Sequence, residues 1–371
     1  MENVMGLIND VKVKRDLKEI VKQRSTAAVP FGGRYRMVDF VLSNMTNCGI
    51  KNIGIFTQHN SRSLIGHVHT GKDWGLCSKK DGLFILPPVF QEGYSHKNTG
   101  DIHHFYSHVD YLRRSKQDYI LISSSNMLYK LNYKKIKEYY ERKNADIVIL
   151  YKNYRENLKS SRFLALKVNQ QNRITDITIN KRKSINDAIA LETAFMKKSL
   201  FLEIIEDCIL KGYSNFVKDG IIKNIYKYSM YGYPYEGYAA NIDCVGSYYQ
   251  HSMDLLTSEV WKELFLKEGP IRTRINDEAP AKYTKTCEVK NSLVTEGCII
   301  EGKVINSILF RGVKVHKNAV IRNSIVMQKN EIEENAIVEN AILDKGVRIT
   351  AGKVIKGEEK RPILIGKTQV I

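Results

Sequence analysis

The sequence predicts an α/β domain followed by a left-handed parallel β-helix, and three observations carry this prediction. Residues 1–275 alternate strand-like apolar runs with stretches whose apolar residues recur at helical spacing. Residues 276–371 instead show short apolar pairs and triplets, separated by turn residues with a period of about six. The chain has 371 residues, which exceeds what one ordinary hydrophobic core accommodates. We therefore expect a Rossmann-like domain with a mostly parallel sheet over 1–275 and a β-helix over 276–371.

In the first domain, the predicted strands are "NVMGLI", "NIGIFT", "YILISSS" and "DIVILYKN", and the predicted helices are "KKIKEYYERKN" and "SLFLEIIEDCILKG". Alternation of this kind favours a mostly parallel sheet covered by helices. The third strand runs into serines and then Asn126. Ligands of open α/β sheets bind outside the carboxyl ends of the strands, so the chemistry of this domain is expected there.

In the second domain, units such as "CIIEGK", "VINSIL", "AVIRNS" and "AIVENA" repeat. Such hexapeptides are typical of a β-helix, in which each short strand buries a side chain in a stacked core. A β-sandwich is the alternative, but its strands should be longer and more widely spaced. Stacked coils leave exposed edges, so we expect an oligomer. The predicted turn residues are Asn291, Gly297, Gly302, Asn306, Gly312, Asn318, Asn323, Asn335, Asn340 and Gly346.

Composition narrows the possible partners. The net charge of +18 and the pI near 9.4 favour anionic partners such as nucleotides, sugar phosphates or nucleic acid, although a lysine-rich genome would have the same effect. The lysines are spread along the chain, so no nucleic-acid partner is expected. No apolar run reaches about 18 residues, so no membrane span is expected. Six scattered cysteines without a C-x-x-C pair suggest reduced thiols and a cytoplasmic location.

Three blocks carry a family resemblance: "RSTAAVPFGGRYRMVDFVLSNMTNCGIKNIGIFTQHNSRSLIGHV" (24–68), "GDIHHFYSHVDYL" and "YGYPYEGYAANIDCVGSYYQHSMDLL". In this order they closely resemble the ADP-glucose pyrophosphorylase (glucose-1-phosphate adenylyltransferase) family, and the similarity extends over essentially the whole chain. The resemblance implies a nucleotidyltransferase domain, the β-helix, and a reaction of ATP with glucose 1-phosphate to ADP-glucose and diphosphate.

Nucleotidyl transfer needs a backbone cradle for the triphosphate, Mg²⁺ held by carboxylates, and cations on the phosphates. The family's cradle is a Gly-Gly-x-Gly-x-Arg-Leu loop after the first strand. This chain has Asn9 to Arg15 there, without a glycine, and Asp10 would repel a phosphate. The lysine of the family's Arg-Ala-Lys-Pro motif falls on Thr26, whose neutral hydroxyl cannot neutralise a phosphoryl group.

The metal and sugar-phosphate positions also depart from the family. Its Asp-His pair falls on Asn126 and the adjacent methionine, and its second metal aspartate falls on Asn241. Asp243 follows two residues later, and a register shift would be needed to bring it to the metal, because two strand residues span about 6–7 Å. The sugar-phosphate lysine falls on Asn180, although Lys181 is adjacent and is a possible substitute.

This joint loss resembles the D-type (GlgD-like), non-catalytic or regulatory subunits of the family. The resemblance implies a glycogen-biosynthesis hetero-oligomer, expected to be a heterotetramer with a catalytic ADP-glucose pyrophosphorylase subunit. This chain is then expected to need no cofactor, with Mg²⁺ bound in the catalytic partner. The alternatives are a competent sugar-phosphate nucleotidyltransferase with altered metal ligands, and an unrelated use of the β-helix such as acyl transfer.

Two further sets of site residues are predicted. The remnant of the nucleotide and sugar-phosphate pocket is expected to include Gln58, Asp101, Lys181 and Asp243. In related enzymes the region around "VPFGGRYR" binds anionic effectors, and an arginine fork is well suited to a phosphate. A phosphorylated metabolite is therefore a possible effector, although Arg36 could instead pair with Asp39 to order the loop. The candidate effector residues are Arg24, Arg34, Arg36, Arg311 and Lys314.

Overall fold

The computed structural model describes residues 1–12, 14–57, 60–78, 81–89, 100–153, 163–180, 188–359 and 361–371, with only the backbone described for Arg15 and Asn180. Within these ranges no helix is long and apolar enough to cross a membrane. The predicted sites at Gln58 and Lys181 lie outside the described residues.

The first part of the chain alternates strands and helices, as predicted. Its elements are β1 (Val4–Asn9), β2 (Pro30–Phe31), β3 (Tyr35–Arg36), α1 (Met37–Asn47), β4 (Asn52–Phe56), α2 (Arg62–Val68), β5 (Leu83–Leu86), α3 (Asp101–Tyr106), α4 (Val109–Arg114), β6 (Tyr119–Ser124), β7 (Met127–Tyr129), α5 (Lys134–Lys143), β8 (Ile147–Asn153), β9 (Phe163–Val168), β10 (Ile174–Asn180), β11 (Ala188–Lys197), α6 (Lys198–Leu210), β12 (Met230–Pro234), β13 (Ala239–Asn241), α7 (Val245–Asp254) and α8 (Ser258–Leu266). Helix α5 ends as its sequence indicates, because Asn144 takes the left-handed conformation (φ 44°) of a C-terminal cap.

The main sheet places the predicted site at one edge. Strands β6, β1, β4 and β5 are neighbours and run parallel, so their carboxyl ends point the same way. Strand β11 runs antiparallel between β6 and β8, which makes the sheet mixed. Strands β7 and β13 form a separate antiparallel pair that continues from the end of β6. The mixed, mostly parallel sheet and the following β-helix confirm the predicted fold class.

The second part of the chain forms three parallel sheets, each with five strands among the described residues. One contains β14 (Lys282–Tyr283), β17 (Ile299–Ile300), β20 (Lys314–Val315), β23 (Glu331–Ile332) and β26 (Arg348–Ile349). The second contains β15 (Glu288–Lys290), β18 (Lys303–Ile305), β21 (Val320–Arg322), β24 (Ile337–Glu339) and β27 (Val354–Lys356). The third contains β16 (Leu293–Val294), β19 (Ile308–Leu309), β22 (Ile325–Val326), β25 (Ala341–Leu343) and β28 (Ile363–Ile365).

Asparagines make the corners of this β-helix. Asn306, Asn323 and Asn340 have φ between 45° and 49°, a left-handed conformation that asparagine tolerates better than most residues. Their amides form a ladder across the coils, from Asn306 to Asn323 at 3.4 Å and from Asn323 to Asn340 at 3.3 Å. Each of these two steps spans 17 residues, so one such coil is one residue shorter than three full hexapeptides. The turn residues read from the sequence therefore hold the coils in register.

The two parts of the chain share a hydrophobic core. Phe31, Phe40 and Tyr248 of the α/β part pack in one cluster with Phe310 and Met327 of the β-helix. The Tyr249 hydroxyl also donates a hydrogen bond to the carbonyl oxygen of Asn323 at 2.6 Å. The β-helix is thus docked against the α/β part through buried apolar surface.

Candidate active site and domain-junction arginines

The loop after β1 is anchored by Asp10. The Oδ1 atom of Asp10 accepts hydrogen bonds from the Ala27 backbone N–H at 3.0 Å and from the Ser125 hydroxyl at 2.7 Å. Asp10 is buried, and this burial raises the pKa of its carboxyl from 3.8 to about 6. The side chain therefore points inward and ties the loop to two other segments, a role that the sequence did not reveal.

The two described lysines of this loop form ion pairs within the chain. Lys12 Nζ lies 3.1 Å from an oxygen of Asp101 at the start of α3. Asp101 is fully buried and also accepts from the backbone N–H of Phe216 at 2.8 Å. Asp101 therefore faces a lysine of the same chain, and its place in the remnant pocket stays a prediction.

Lys14 pairs with a carboxylate that sequence reasoning missed, Glu192, at 3.6 Å. Glu192 lies in β11 where the register with β8 shifts, and its φ of 47° is unusual for a residue other than glycine. The Glu192 side chain is 36% exposed, and partial desolvation would raise its pKa, but the lysines of the loop and the Ser124 hydroxyl hold that pKa below its ordinary value. Glu192 is brought to Lys14 by a bulge in the pairing of β11 with β8. The local sequence around Glu192 does not reveal such a bulge.

Asn126 and Asn241 are hydrogen-bonded to each other. Asn126 follows β6 and Asn241 ends β13, and the pairing of β7 with β13 brings the two side chains together. The Asn126 Nδ2 donates to Asn241 Oδ1 at 2.6 Å, while Asn126 Oδ1 accepts from the Ser124 hydroxyl. Both amides are neutral, and Mg²⁺ is normally held through carboxylates. The residues present at these two positions therefore do not fit a magnesium ion.

Asp243 lies beyond the end of β13 and contacts the first turn of α7. Its backbone lies just before α7, where its N–H donates to the Ser247 hydroxyl at 3.1 Å, and its Oδ1 faces the same hydroxyl at 3.3 Å. The register of β13 places Asn241, not Asp243, opposite Met127. In the described part of the chain, no three His, Cys, Asp or Glu side chains converge as a metal site would require.

Thr26 is buried at the start of the short helix Thr26–Ala28, and its hydroxyl has no hydrogen-bond partner among the described residues. It supplies no positive charge to the pocket. Asn180 ends the edge strand β10, and only its backbone is described.

The predicted effector arginines lie at the junction of the two parts. Arg24 is buried and donates from Nη2 to both oxygens of Asp344 at 2.6 Å. Arg34 and Arg311 both contact Glu296, at 3.3 Å and 3.4 Å. The fifth candidate, Lys314, is exposed on β20.

Arg36 does not use its side chain to pair with Asp39. Its backbone N–H donates to Asp39 Oδ2 at 2.9 Å, whereas its guanidinium donates to the carbonyl oxygen and hydroxyl of Ser63 at 2.6 Å and 2.9 Å. Burial, together with the charges of Arg24 and Arg274, lowers the pKa of Arg36 from 12.5 to about 10, although Asp39 acts in the opposite direction.

Lys345 of the β-helix lies in a basic cluster that includes Arg36. Burial first, and then four neighbouring cations, lower the pKa of Lys345; these cations are Lys329, Lys367, Arg36 and Arg24. The three lysines lie about 300 residues away in sequence, so no local motif connects them with Arg36. We refer to Arg36, Lys329, Lys345 and Lys367 as the junction cluster.

Family models match both parts of the chain. A model described as "Nucleotidyl transferase" matches residues 15–181, and one described as "GlmU-like, C-terminal hexapeptide" matches residues 279–361. With the fold and the altered pocket, these matches define a nucleotidyltransferase-type protein that carries a hexapeptide β-helix.

Curated relatives identify the family more closely. The chain is 34% identical to the glycogen biosynthesis protein GlgD of Bacillus subtilis. The alignment has 298 residues and covers 80% of this chain and 76% of the relative. It is 36% identical, with the same coverage, to GlgD of Geobacillus stearothermophilus. It is 30% identical to the glucose-1-phosphate adenylyltransferase of Clostridium novyi, over 76% of this chain and 75% of the relative. The chain belongs to the GlgD and glucose-1-phosphate adenylyltransferase family of glycogen biosynthesis.

Proposed function

We propose that this chain is a catalytically silent, regulatory subunit of a glucose-1-phosphate adenylyltransferase complex. The observation that carries the proposal is the hydrogen bond of 2.6 Å between Asn126 and Asn241. These amides stand where the resemblance places two metal carboxylates. Without their negative charge, Mg²⁺ loses the ligands that would hold it against a triphosphate.

The loop after β1 supports the same proposal. A triphosphate entering there would have to displace the Lys12–Asp101 and Lys14–Glu192 ion pairs. Breaking the first pair would leave the buried Asp101 carboxylate facing the phosphates, and uncompensated buried charges cost several kcal/mol. The cations of the loop are thus paired with carboxylates of the same chain. The alternative, a competent enzyme, would therefore need another group to hold the phosphates.

The proposed complex is a hetero-oligomer, with a heterotetramer as the simplest form, in which a catalytic subunit supplies the Mg²⁺ site. Two relatives named for glycogen biosynthesis, and others named as glucose-1-phosphate adenylyltransferases, support this pathway. We also propose a cytoplasmic complex. All six cysteines lie in the described ranges and none of them forms a disulfide bond there, which suits a reducing compartment.

The experiment compares this chain alone, a catalytic adenylyltransferase subunit alone, and the two together. ADP-glucose formation from ATP and glucose 1-phosphate is measured with Mg²⁺, and assembly is measured by mass photometry. We expect no turnover by this chain, a stable hetero-oligomer, and a changed rate or effector response of the partner. Robust turnover by the chain alone, or a mixture that behaves as the catalytic subunit alone, would overturn the proposal.

The junction cluster is the proposed site of regulation by an anionic metabolite. Four cations from both parts of the chain lie there, and after burial the charges of Lys329, Lys367 and Arg36 lower the pKa of Lys345. A phosphate group would relieve that repulsion. Arg36→Gln should therefore weaken the response of the mixed complex to sugar phosphates. Arg113→Gln, which removes the exposed contact of α4 with Glu206, is the matched control.

A further inference from the structure

Glu192 lies at the end of the strands that border the altered pocket. Strand β11 pairs Thr193 with Ser123 of β6, so the next residue of each strand, Glu192 and Ser124, reach the same end of the sheet. The pairing of β6 with β1 places Ser124 opposite Asn9, the last residue of β1. The loop after β1 therefore begins close to Glu192, at the edge where open α/β sheets bind their ligands.

Two lysines of this loop act on the Glu192 carboxylate. Lys14 Nζ lies 3.6 Å from a carboxylate oxygen of Glu192, and the charges of Lys14 and Lys12 both favour the ionised carboxylate, as does the Ser124 hydroxyl. The side chains of Lys12, Lys14 and Glu192 are 44%, 20% and 36% exposed, so small ions can reach them from solution. Ammonium groups beside a hydroxyl are donors that suit a phosphate, and here a carboxylate of the same chain contacts them.

The backbone of Glu192 has a conformation that a side chain disfavours. Its φ of 47° lies in the left-handed region, which favours glycine. The residue stands where the register between β11 and β8 shifts, between Ala190 and Ala194. Strained conformations persist where surrounding contacts hold them, and they cluster at functional sites. The contact with Lys14 is therefore made by a residue whose backbone is under strain.

Two other carboxylates near these lysines are buried and fixed. Asp101, which pairs with Lys12, is fully buried and accepts from the backbone N–H of Phe216 at 2.8 Å. Asp10, whose pKa is lowered slightly by the charge of a loop lysine, is buried and accepts from the backbone N–H of Ala27 at 3.0 Å. Glu192 is the exposed carboxylate of the three, so it is the one that an incoming anion would displace.

We propose that Glu192 is an autoinhibitory contact, in which a carboxylate of the chain itself takes the place of a phosphate group beside Lys14 and keeps phosphate away from the loop after β1. Like charges a few ångströms apart repel each other, so a phosphate binds Lys14 only when the Glu192 carboxylate has moved away or has been removed. The contact concerns anion binding alone and does not depend on the catalytic silence proposed above.

The experiment measures the affinity of the full chain for inorganic phosphate by calorimetry at pH 7.5 without Mg²⁺. Glu192→Gln removes the charge and keeps the shape of the side chain, and Glu192→Gly removes the side chain and suits the φ of 47°. Each protein is compared with a counterpart that also carries Lys14→Met, so that phosphate bound elsewhere cancels. Glu206→Gln is the matched control, because Glu206 is 39% exposed and pairs with Arg113 at 2.7 Å.

In the parent, Lys14→Met should change the phosphate affinity by less than about twofold, because Glu192 already neutralises the lysine. In Glu192→Gln and in Glu192→Gly, phosphate should bind about tenfold more tightly than to the parent, because Lys14 has lost its counterion and the repulsion is gone. Lys14→Met should remove this gain in both variants. Glu206→Gln should bind phosphate as the parent does.

A purely structural role for Glu192 predicts a different result. Its removal would then lower the melting temperature without any gain in phosphate affinity, and the proposal would be wrong. The proposal is also wrong if the gain persists when Lys14 is replaced, or if phosphate binding to the parent already depends on Lys14. Turnover is not measured, so either failure leaves the proposed catalytic silence unaffected.

Discussion

Replacing Arg24 by methionine leaves the Asp344 carboxylate without a counterion between the two parts of the chain. Arg24 Nη2 lies 2.6 Å from both oxygens of Asp344, and the two side chains are 8% and 1% exposed. Removing one partner of such a buried pair costs about 3–5 kcal/mol, because the remaining charge cannot be solvated. We expect Arg24→Met to lower the free energy of unfolding by about this amount.

The assay is urea unfolding followed by circular dichroism, applied to Arg24→Met, Asp344→Leu and the double variant. The loss of unfolding free energy in the double variant should be smaller than the sum of the losses in the two single variants, since the double variant buries no unpaired charge. Arg34→Met is the control. It breaks the contact with Glu296 at side-chain exposures of 40% and 38%, so it should cost less than about 1 kcal/mol.

Two results would refute this reasoning. Arg24→Met could unfold within about 1 kcal/mol of the parent, which would mean that Asp344 is solvated or neutral when its partner is absent. Alternatively, the losses of unfolding free energy in the two single variants could sum to the loss in the double variant. The two substitutions would then act at independent sites.

Three other predictions concern the altered pocket and the β-helix corners. The double variant Asn126→Asp, Asn241→Asp places two carboxylates at a separation of about 2.6 Å, where their charges repel each other. Its melting temperature at pH 7.5 should therefore fall and should recover partly with millimolar Mg²⁺. A melting temperature unaffected by Mg²⁺ would contradict this prediction. Burial raises the pKa of Asp10 from 3.8 to about 6, so its contribution to stability is present below pH 4 and is lost as the pH rises through 6. Asp10→Asn should therefore remove a fall of about 3 kcal/mol in the free energy of unfolding between pH 4 and 7.5, measured by urea titrations at each pH. Asn323→Ala, at φ 45°, should cost about 1–2 kcal/mol in thermal unfolding, and Asn323→Gly should cost less because glycine keeps the conformation and loses only the two ladder bonds.

Local sequence patterns were sufficient to predict the secondary-structure elements and the fold class. The strand-forming runs around Ile53 and Ile120 fall in β4 and β6 as predicted, because apolar periodicity is a property of a few consecutive residues. The corners at Asn306 and Asn323 follow from the same local logic, since asparagine tolerates a positive φ. The departures at Thr26 and Asn126 were also visible in the sequence, through comparison with motifs of the family.

The partners of those residues depended on tertiary structure. Asn126 and Asn241 are separated by 115 residues, and their hydrogen bond exists because β7 and β13 pair in one particular register. Glu192 meets Lys14 only because β11 bulges beside the end of β6. No periodicity contains such information, because register and bulges are set by packing across the sheet.

Docking of the two parts decided the roles of the arginines. From the sequence, Arg24 was a candidate for an anionic effector, and this stays a prediction, but the structure shows it in an ion pair with a carboxylate 320 residues away. Lys345 and Lys367 were not candidates at all, yet Lys345 lies near both Arg36 and Lys367. By itself the sequence determined the two folded parts and the loss of the charged residues expected of the family. The three-dimensional contacts decided which charges are neutralised within the chain and which are left to meet a ligand, because that depends on distances between segments that only folding brings together.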